Sequence, residues 1–310
     1  MSHHIVLGAG PVGRAVVTAL AARGIDAVVV TRSGTSLPGA RSLALDVRDT
    51  AALRSAAQGA GALYQASQPE YHRWPAEFPS LQKSVVDALS GTDTVMVAVE
   101  NLYGYGSVAG PLVETLPLVS TGRKGRTRAE MWRSLESEWK AGHLKVTAAR
   151  PSDFFGPHVE GSQVGDRFFV PLLKGGKAEV FGSPDALHTY TYAPDIGEAL
   201  VRLALDERSL GRAWHVPSAP AVTNGEFLRM AAEAAGTEPR SVRRGALAMR
   251  MAGLFIPPAR EIPEILHEFE KDFVVDHSAY AALFGEHATP LSVSVAATVE
   301  WWRSHSPTGH

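Results

Sequence analysis

The sequence predicts an α/β protein, a doubly wound parallel sheet with a second, smaller, mainly helical and discontinuous domain. Three observations predict it. Short β-branched runs alternate with amphipathic stretches through about residue 150. The connections have the length that parallel crossovers require. A glycine-rich turn joins the first apolar run to the first helical stretch, starting within ten residues of the N-terminus.

The elements follow in order. Strands are expected at 4–7, 27–31, 42–45, 62–66, 94–98 and 144–149, with helices at 11–23, 50–57, 80–90 and 126–141 between them. From Gly156 to Leu187 the chain is rich in Gly and Pro and weakly periodic. A helix is expected at 191–205, with Pro194 near its start where proline is tolerated. A short strand follows at 213–216, and beyond Pro217 helices are expected at 223–235, 245–255 and 291–303. Thr223 with Glu226 three residues on has the form of a capping box. The expected division is 1–156 with 188–216 for the sheet domain, 157–187 with 217–303 for the second, and 304–310 as a frayed tail.

Bulk composition narrows the function classes. The 310 residues are 45% hydrophobic and 20% charged, near the globular average. A net charge of −2 offers no basic field for nucleic acid or anionic membrane, so a small-molecule partner is expected. With no cysteine there is no thiolate catalysis and no Cys-based metal site. His3 and His4 open a strand on opposite faces, and no histidines and acids have metal-ligand spacing. No apolar run approaches the ~20 residues of a membrane helix, and the N-terminus enters a strand at once. A cytoplasmic protein is expected.

Gly8-Ala9-Gly10-Pro11-Val12-Gly13 spells G-x-G-x-x-G between an apolar strand and an amphipathic helix. Together these form a Rossmann-type dinucleotide-binding unit. Gly8 makes the tight turn, Gly10 lets the backbone approach a pyrophosphate, and Gly13 lets helix and strand pack closely. The phosphates then meet the free N–H groups and positive end of the helix. An NAD site usually places an acid at the end of the second strand, for the ribose hydroxyls. Here that strand ends Thr31-Arg32-Ser33, and Asp26 lies at its wrong end. Arg32, assisted by Ser33, suits a 2′-phosphate, so NADP(H) is expected over NAD(H).

Later segments carry a resemblance. They are Asp46-Val47-Arg48-Asp49, then Asn101-Leu102-Tyr103-Gly104-Tyr105-Gly106, then Ala149-Arg150-Pro151-Ser152-Asp153-Phe154-Phe155-Gly156-Pro157, and Thr191-Tyr192-Ala193-Pro194-Asp195-Ile196. In order and spacing they resemble the extended, epimerase/dehydratase-like branch of the short-chain dehydrogenases/reductases, from residue 5 to about 235. The third segment is similar to that branch's R-x-x-N-v-y-G-P pattern. The resemblance implies that Asp46 and Val47 contact adenine, with Ala66 also on the cofactor. It also implies dimerisation through the helices at 80–90 and 126–141.

The departures from the pattern concern catalysis. The family pairs Tyr with Lys as Y-x-x-x-K, the lysine lowering the phenol's pKa and holding the nicotinamide ribose. No tyrosine here has a lysine four residues on. Lys124 matches the family's lysine, which leaves Ser120 at the tyrosine position and Asn101 at the Ser/Thr position. Tyr103, after the fifth strand at the mouth of the cleft, is the first candidate for the proton, with Ser120 acting through a water as the other.

Gln65, Tyr71 and Trp74 around the fourth strand's loop suggest a partly apolar, hydrogen-bonding substrate pocket, with His158 and His188 facing it from the second domain. Arg150 reads as a structural anchor. Arg123, Lys124, Arg126 and Arg128 read most simply as a solvated helix start, although cations there oppose the dipole and hint at a nearby anion. Arg240, Arg243, Arg244 and Arg250 read as surface. The leading expectation is an NADP(H)-dependent oxidoreductase acting on a small carbonyl or hydroxyl compound with an altered proton donor. A non-catalytic NADP(H)-binding sensor or scaffold and an NAD-dependent sugar-nucleotide epimerase or dehydratase remain open.

Overall fold

Strand β1 (His4–Leu7) is buried along its whole length, as a central parallel strand must be. Its side chains alternate between layers: Ile5 and Leu7 join one core cluster and Val6 the other. His4 opens the strand inside the protein, its Nδ1 2.9 Å from the Tyr64 hydroxyl. The computed structural model describes residues 2–244 and 267–305. The helix expected at 245–255, Arg250 and residues 306–310 lie outside the described residues.

After β1 come α1 (Pro11–Ala21), β2 (Ala27–Thr31), β3 (Arg41–Ala44), α2 (Thr50–Ala56), β4 (Ala62–Gln65), α3 (Trp74–Leu89), β5 (Val95–Val99), α4 (Arg123–Lys140) and β6 (Val146–Arg150). Next are β7 (Asp153–Phe155), α5 (Asp166–Leu173), β8 (Ala178–Phe181), β9 (Leu187–His188), β10 (Tyr190–Tyr192), α6 (Ala193–Leu205) and β11 (Ala213–His215). Then follow β12 (Val222–Thr223), α7 (Asn224–Ala235), β13 (Ser241–Arg244) and helices His267–Glu270, Ser278–Phe284 and Leu291–His305. The last helix runs through His305, two residues into the segment expected to fray.

Seven strands form one sheet in the order β11-β6-β5-β4-β1-β2-β3, every pair parallel. The strand order reverses between β1 and β4, which creates a crevice at their carboxyl ends. Helices α2, α3 and α4 cover one face through Leu53, Phe78 and Trp132. Helices α1 and α6 cover the other through Val16 and Ile196, joined by Tyr280 from Ser278–Phe284. A third cluster lies away from the sheet and joins Phe155, Phe168, Phe227 and Trp302.

Several elements depart from expectation. The α3 helix begins at Trp74, six residues before the expected start, because Pro75 sits in its first turn where no backbone donor is lost. The stretch 156–187 holds α5 and β8, despite Pro171 inside the helix. The capping box forms as expected: Thr223 Oγ1 accepts from Glu226 N at 3.1 Å, and Thr223 N donates to Glu226 Oε2 at 2.9 Å.

Candidate active site

The glycine turn is built as its spacing implies. Gly8 has φ +100°, and a Cβ on Gly13 would lie 2.1 Å from the Gly8 carbonyl oxygen. Around Gly10 the space is open, with no atom within 4 Å of where its Cβ would stand. Gly10 caps α1 with no side-chain bond, and the first turn carries no acid, so its N–H groups face the crevice uncompensated.

A cleft of about 750 Å³ extends from this turn along the carboxyl ends of β4, β5 and β6. Pro11, Val12, Gln65, Ala66, Tyr71, Trp74, Asn101 and Tyr103 all line it. Ser120, Lys124, His158 and His188 are not among its lining residues. Four lining side chains carry buried polar atoms with no hydrogen-bond partner: both amide atoms of Gln65, the hydroxyls of Ser67 and Ser152, and Gln163 Oε1. Buried polar groups are normally satisfied, so this wall is complementary to a polar ligand. Ser67, Ser152 and Gln163 were not singled out from sequence; only their place beside expected site loops points to them.

The adenine-side candidates sit at the ends of β2 and β3. Thr31 Oγ1 accepts from Thr35 N at 2.7 Å, and Ser33 Oγ lies 2.9 Å from Thr35 Oγ1. Arg32 is exposed, and nothing among the described residues engages its guanidinium. Asp46 is exposed and accepts from Arg48 N at 3.0 Å. Val47 is buried in the core, so only its backbone can face a ligand.

The inner end of the cleft is aromatic. Tyr71 packs edge-on against Trp74, with centroids 4.9 Å apart, and its hydroxyl is 3.4 Å from that of Tyr103. Trp74 donates its indole N–H to Pro69 O at 3.2 Å. Asn101 Oδ1 accepts from Tyr103 N at 3.3 Å, which steadies the turn that carries this tyrosine. Burial first, then Tyr71, Glu268 and Asp153, push the Tyr103 phenol well above its usual pKa. Tyr103 therefore holds its proton tightly, unlike a lysine-activated phenol.

Ser120 lies in the loop just before α4, where a Cβ on Gly125 would come within 2.0 Å of its hydroxyl oxygen. Lys124 is wholly buried, its Nζ 4.2 Å from the centre of the Tyr71 ring. Of the basic helix start, Arg123 and Arg126 are exposed as expected, while Lys124 is not. Arg128 is also buried, donating to Val99 O at 2.7 Å and lying 3.5 Å from Glu100 Oε1. Glu100, a buried cleft residue that sequence reasoning missed, is the nearby anion; burial raises its pKa and lowers that of Arg128. Arg244 is likewise no mere surface residue, since it lines the cleft and donates Nε to Glu179 at 3.0 Å.

Arg150 is the anchor expected of it: Nη1 donates to the Tyr105 hydroxyl at 2.8 Å, and that hydroxyl lies 2.9 Å from His215 Nε2. His215 Nδ1 in turn lies 2.8 Å from Asp276 O. A hydroxyl donor on one nitrogen and a carbonyl on the other suit a neutral ring, and burial accordingly lowers the His215 pKa to about 4. His158 turns away from the cleft at φ 65° and packs edge-on to Trp301. His188 stands one residue behind the cleft wall, its Nε2 3.1 Å from Asp153 Oδ2. Asp153 and Glu268 line the cleft and were also missed; the only sequence signal was the acid after Arg150-Pro151-Ser152.

Fold and crevice define a Rossmann-type α/β protein. The chain belongs to the NAD dependent epimerase/dehydratase family, whose model matches residues 4–216. Among solved structures it resembles UDP-glucuronic acid 4-epimerase from Bacillus cereus in complex with NAD, at 14% identity and TM-score 0.79 over 97% of both chains. It resembles DesIV, a dTDP-glucose 4,6-dehydratase from Streptomyces venezuelae solved with NAD, at 17% and 0.78 over 97% of both. It resembles UDP-glucose 4-epimerase from Thermotoga maritima at 19% and 0.75, over 97% of this chain and 99% of that one. At these identities the likeness establishes the fold. No curated protein matches the sequence significantly. No described helix is long and apolar enough to cross a membrane, and no group of described residues could hold a metal ion.

Proposed function

We propose that the protein is an NADP(H)-dependent oxidoreductase of the extended short-chain class, acting on a small carbonyl or hydroxyl compound with a non-standard proton donor. The observation that carries this reading is the row of unsatisfied buried polar atoms on Gln65, Ser67, Ser152 and Gln163, in a cleft that begins at the glycine turn. The residues present fit a dinucleotide. The open space over Gly10 and the uncapped start of α1 suit a pyrophosphate, and the exposed Arg32, with Thr31 and Ser33, suits a 2′-phosphate. By the resemblance, Asp46 and the Val47 backbone would hold the adenine. Bound nicotinamide supplies or accepts hydride.

The chain's own groups do the rest. Gln65 and Asn101 offer amides to orient the reacting end, and Lys124 supports it from behind Tyr71. Tyr71, Trp74 and Tyr103 form an apolar wall that excludes water from the reacting bond. The test is turnover of NADPH with a panel of small aldehydes and ketones. Oxidation above background supports the reading; nucleotide binding without turnover on any carbonyl points to a sensor or scaffold.

A second reading, an NAD-dependent sugar-nucleotide epimerase or dehydratase, draws on the structural neighbours, whose names state those activities. Tight co-purifying NAD would favour it. The resemblance also supports a homodimer through α3 and α4, which light scattering tests.

A further inference from the structure

The hydrogen bonds of His188 demand more protons than a neutral ring and a carboxylate carry together. Its Nδ1 lies 3.0 Å from the Glu268 carbonyl oxygen, which can only accept, so Nδ1 carries hydrogen. Its Nε2 lies 3.1 Å from Asp153 Oδ2, an acceptor when ionised. A further proton must therefore stand between them, as imidazolium N–H donating to carboxylate or as carboxyl O–H donating to imidazole. His215 differs, because one of its partners is a hydroxyl that can donate.

Among the described residues, no other group meets this demand at the ring. His188 has a fully buried side chain, stacked on Phe269 at 4.5 Å and on Phe273 at 5.3 Å. The Asp153 side chain is 16% exposed and lines the cleft. Among the described residues, the Asp153 carboxyl is the route by which the proton can reach or leave the pair. The parallel pairing of β7 with β10 sets Asp153 opposite Tyr190, and a bridge to Phe273 holds His188. The pair is thus built rigidly from several elements. Residues 149–157 resemble a pattern with asparagine at this place, and an amide could not exchange the proton.

We infer that Asp153, charged and recharged through His188, is the proton-exchanging group of the cleft; the inference rests on the oxidoreductase reading for its role in turnover. In the reducing direction, one proton passes from the Asp153 carboxyl to the substrate oxygen. Its O–H bond breaks with the electron pair left on the carboxylate, while the substrate oxygen, made electron-rich by hydride arriving at carbon, forms the new bond. The bare Nε2 then faces a carboxylate, an arrangement that recaptures a proton from cleft water. In the oxidising direction the same steps reverse. The titratable groups facing the pair are Tyr103 and Tyr190, whose hydroxyls both feel Asp153, and Glu268.

The proton is tested without nucleotide, by ¹⁵N-edited NMR of the histidine rings near neutral pH, with His188 assigned by its loss in His188→Gln. The expected result is two slowly exchanging ring-associated protons on His188, one at Nδ1 and one shared with Asp153, the second absent in Asp153→Asn. A His188 ring with the Nδ1 proton and no proton in the Nε2–Asp153 hydrogen bond, whether borne by the nitrogen or by the carboxyl oxygen, overturns the inference. Its role is tested by turnover: Asp153→Asn should lower kcat at least 100-fold with nucleotide affinity unchanged within twofold. Retention of kcat within threefold overturns the role. If wild-type protein binds no nicotinamide nucleotide, the oxidoreductase reading and the catalytic role fall, while the NMR result still decides the shared proton.

Discussion

The same small change at Gly10 and at Gly13 should have opposite readouts. A methyl at Gly13 must lie 2.1 Å from a backbone oxygen, so Gly13→Ala should destabilise by about 2 kcal/mol or more, checked by denaturant titration. A methyl at Gly10 meets nothing in the protein, so Gly10→Ala should leave the melting midpoint within a few degrees yet weaken nucleotide binding tenfold or more. Equal effects on both properties at both sites would contradict the assignment of the turn. At this scale the sequence was most legible where function needs backbone geometry, because a glycine spacing states the turn directly. Asp153 and Glu100 were not legible in this way. Their meaning depends on partners at residues 188 and 128, brought together only by folding.

Among the elements, α4 shows how tertiary context overrides a local reading. Four cations in its first turns oppose the helix dipole and read as a solvated face. In the structure Lys124 goes under Tyr71 and Arg128 under Glu100, so the helix start is drawn inward by buried partners. Removing one partner of the buried Arg128–Glu100 pair strands a charge. Glu100→Ala should therefore cost about 3–5 kcal/mol by chemical denaturation. Thr223→Ala, which removes only a half-exposed cap of α7, should cost about 1 kcal/mol. The cap was legible because both partners lie within one turn. The helix α5 and strand β8 were not, because Pro171 and short strand lengths leave no sustained period to read.

Across the whole molecule, the buried neutral histidines make stability pH-dependent. Burial is the main cause holding both His4 and His215 near pKa 4, below the ordinary 6.5. Between those values the unfolded chain binds more protons than the folded one, so stability rises with pH through that window. It is fully present above about pH 6.5 and is lost as pH falls toward 4, by up to about 3 kcal/mol per histidine. Melting curves from pH 7 to 4 check this, and His215→Gln should flatten part of the slope. The doubly wound sheet was legible at this scale because alternating strand and helix periods suffice to specify it. The cleft's chemistry was not, since its polar wall joins Gln65 to Ser152 and Gln163 from a distant stretch of chain.

The central claim, a nicotinamide dinucleotide site selective for the 2′-phosphate, is tested most directly by calorimetric titration of wild-type and Arg32→Ala protein with NADP⁺ and NAD⁺. The account predicts tighter binding of NADP⁺ by the wild type and a loss of that preference of about 10- to 100-fold in the variant. Tighter binding of NAD⁺ by the wild type, or an unchanged preference in Arg32→Ala, would contradict it.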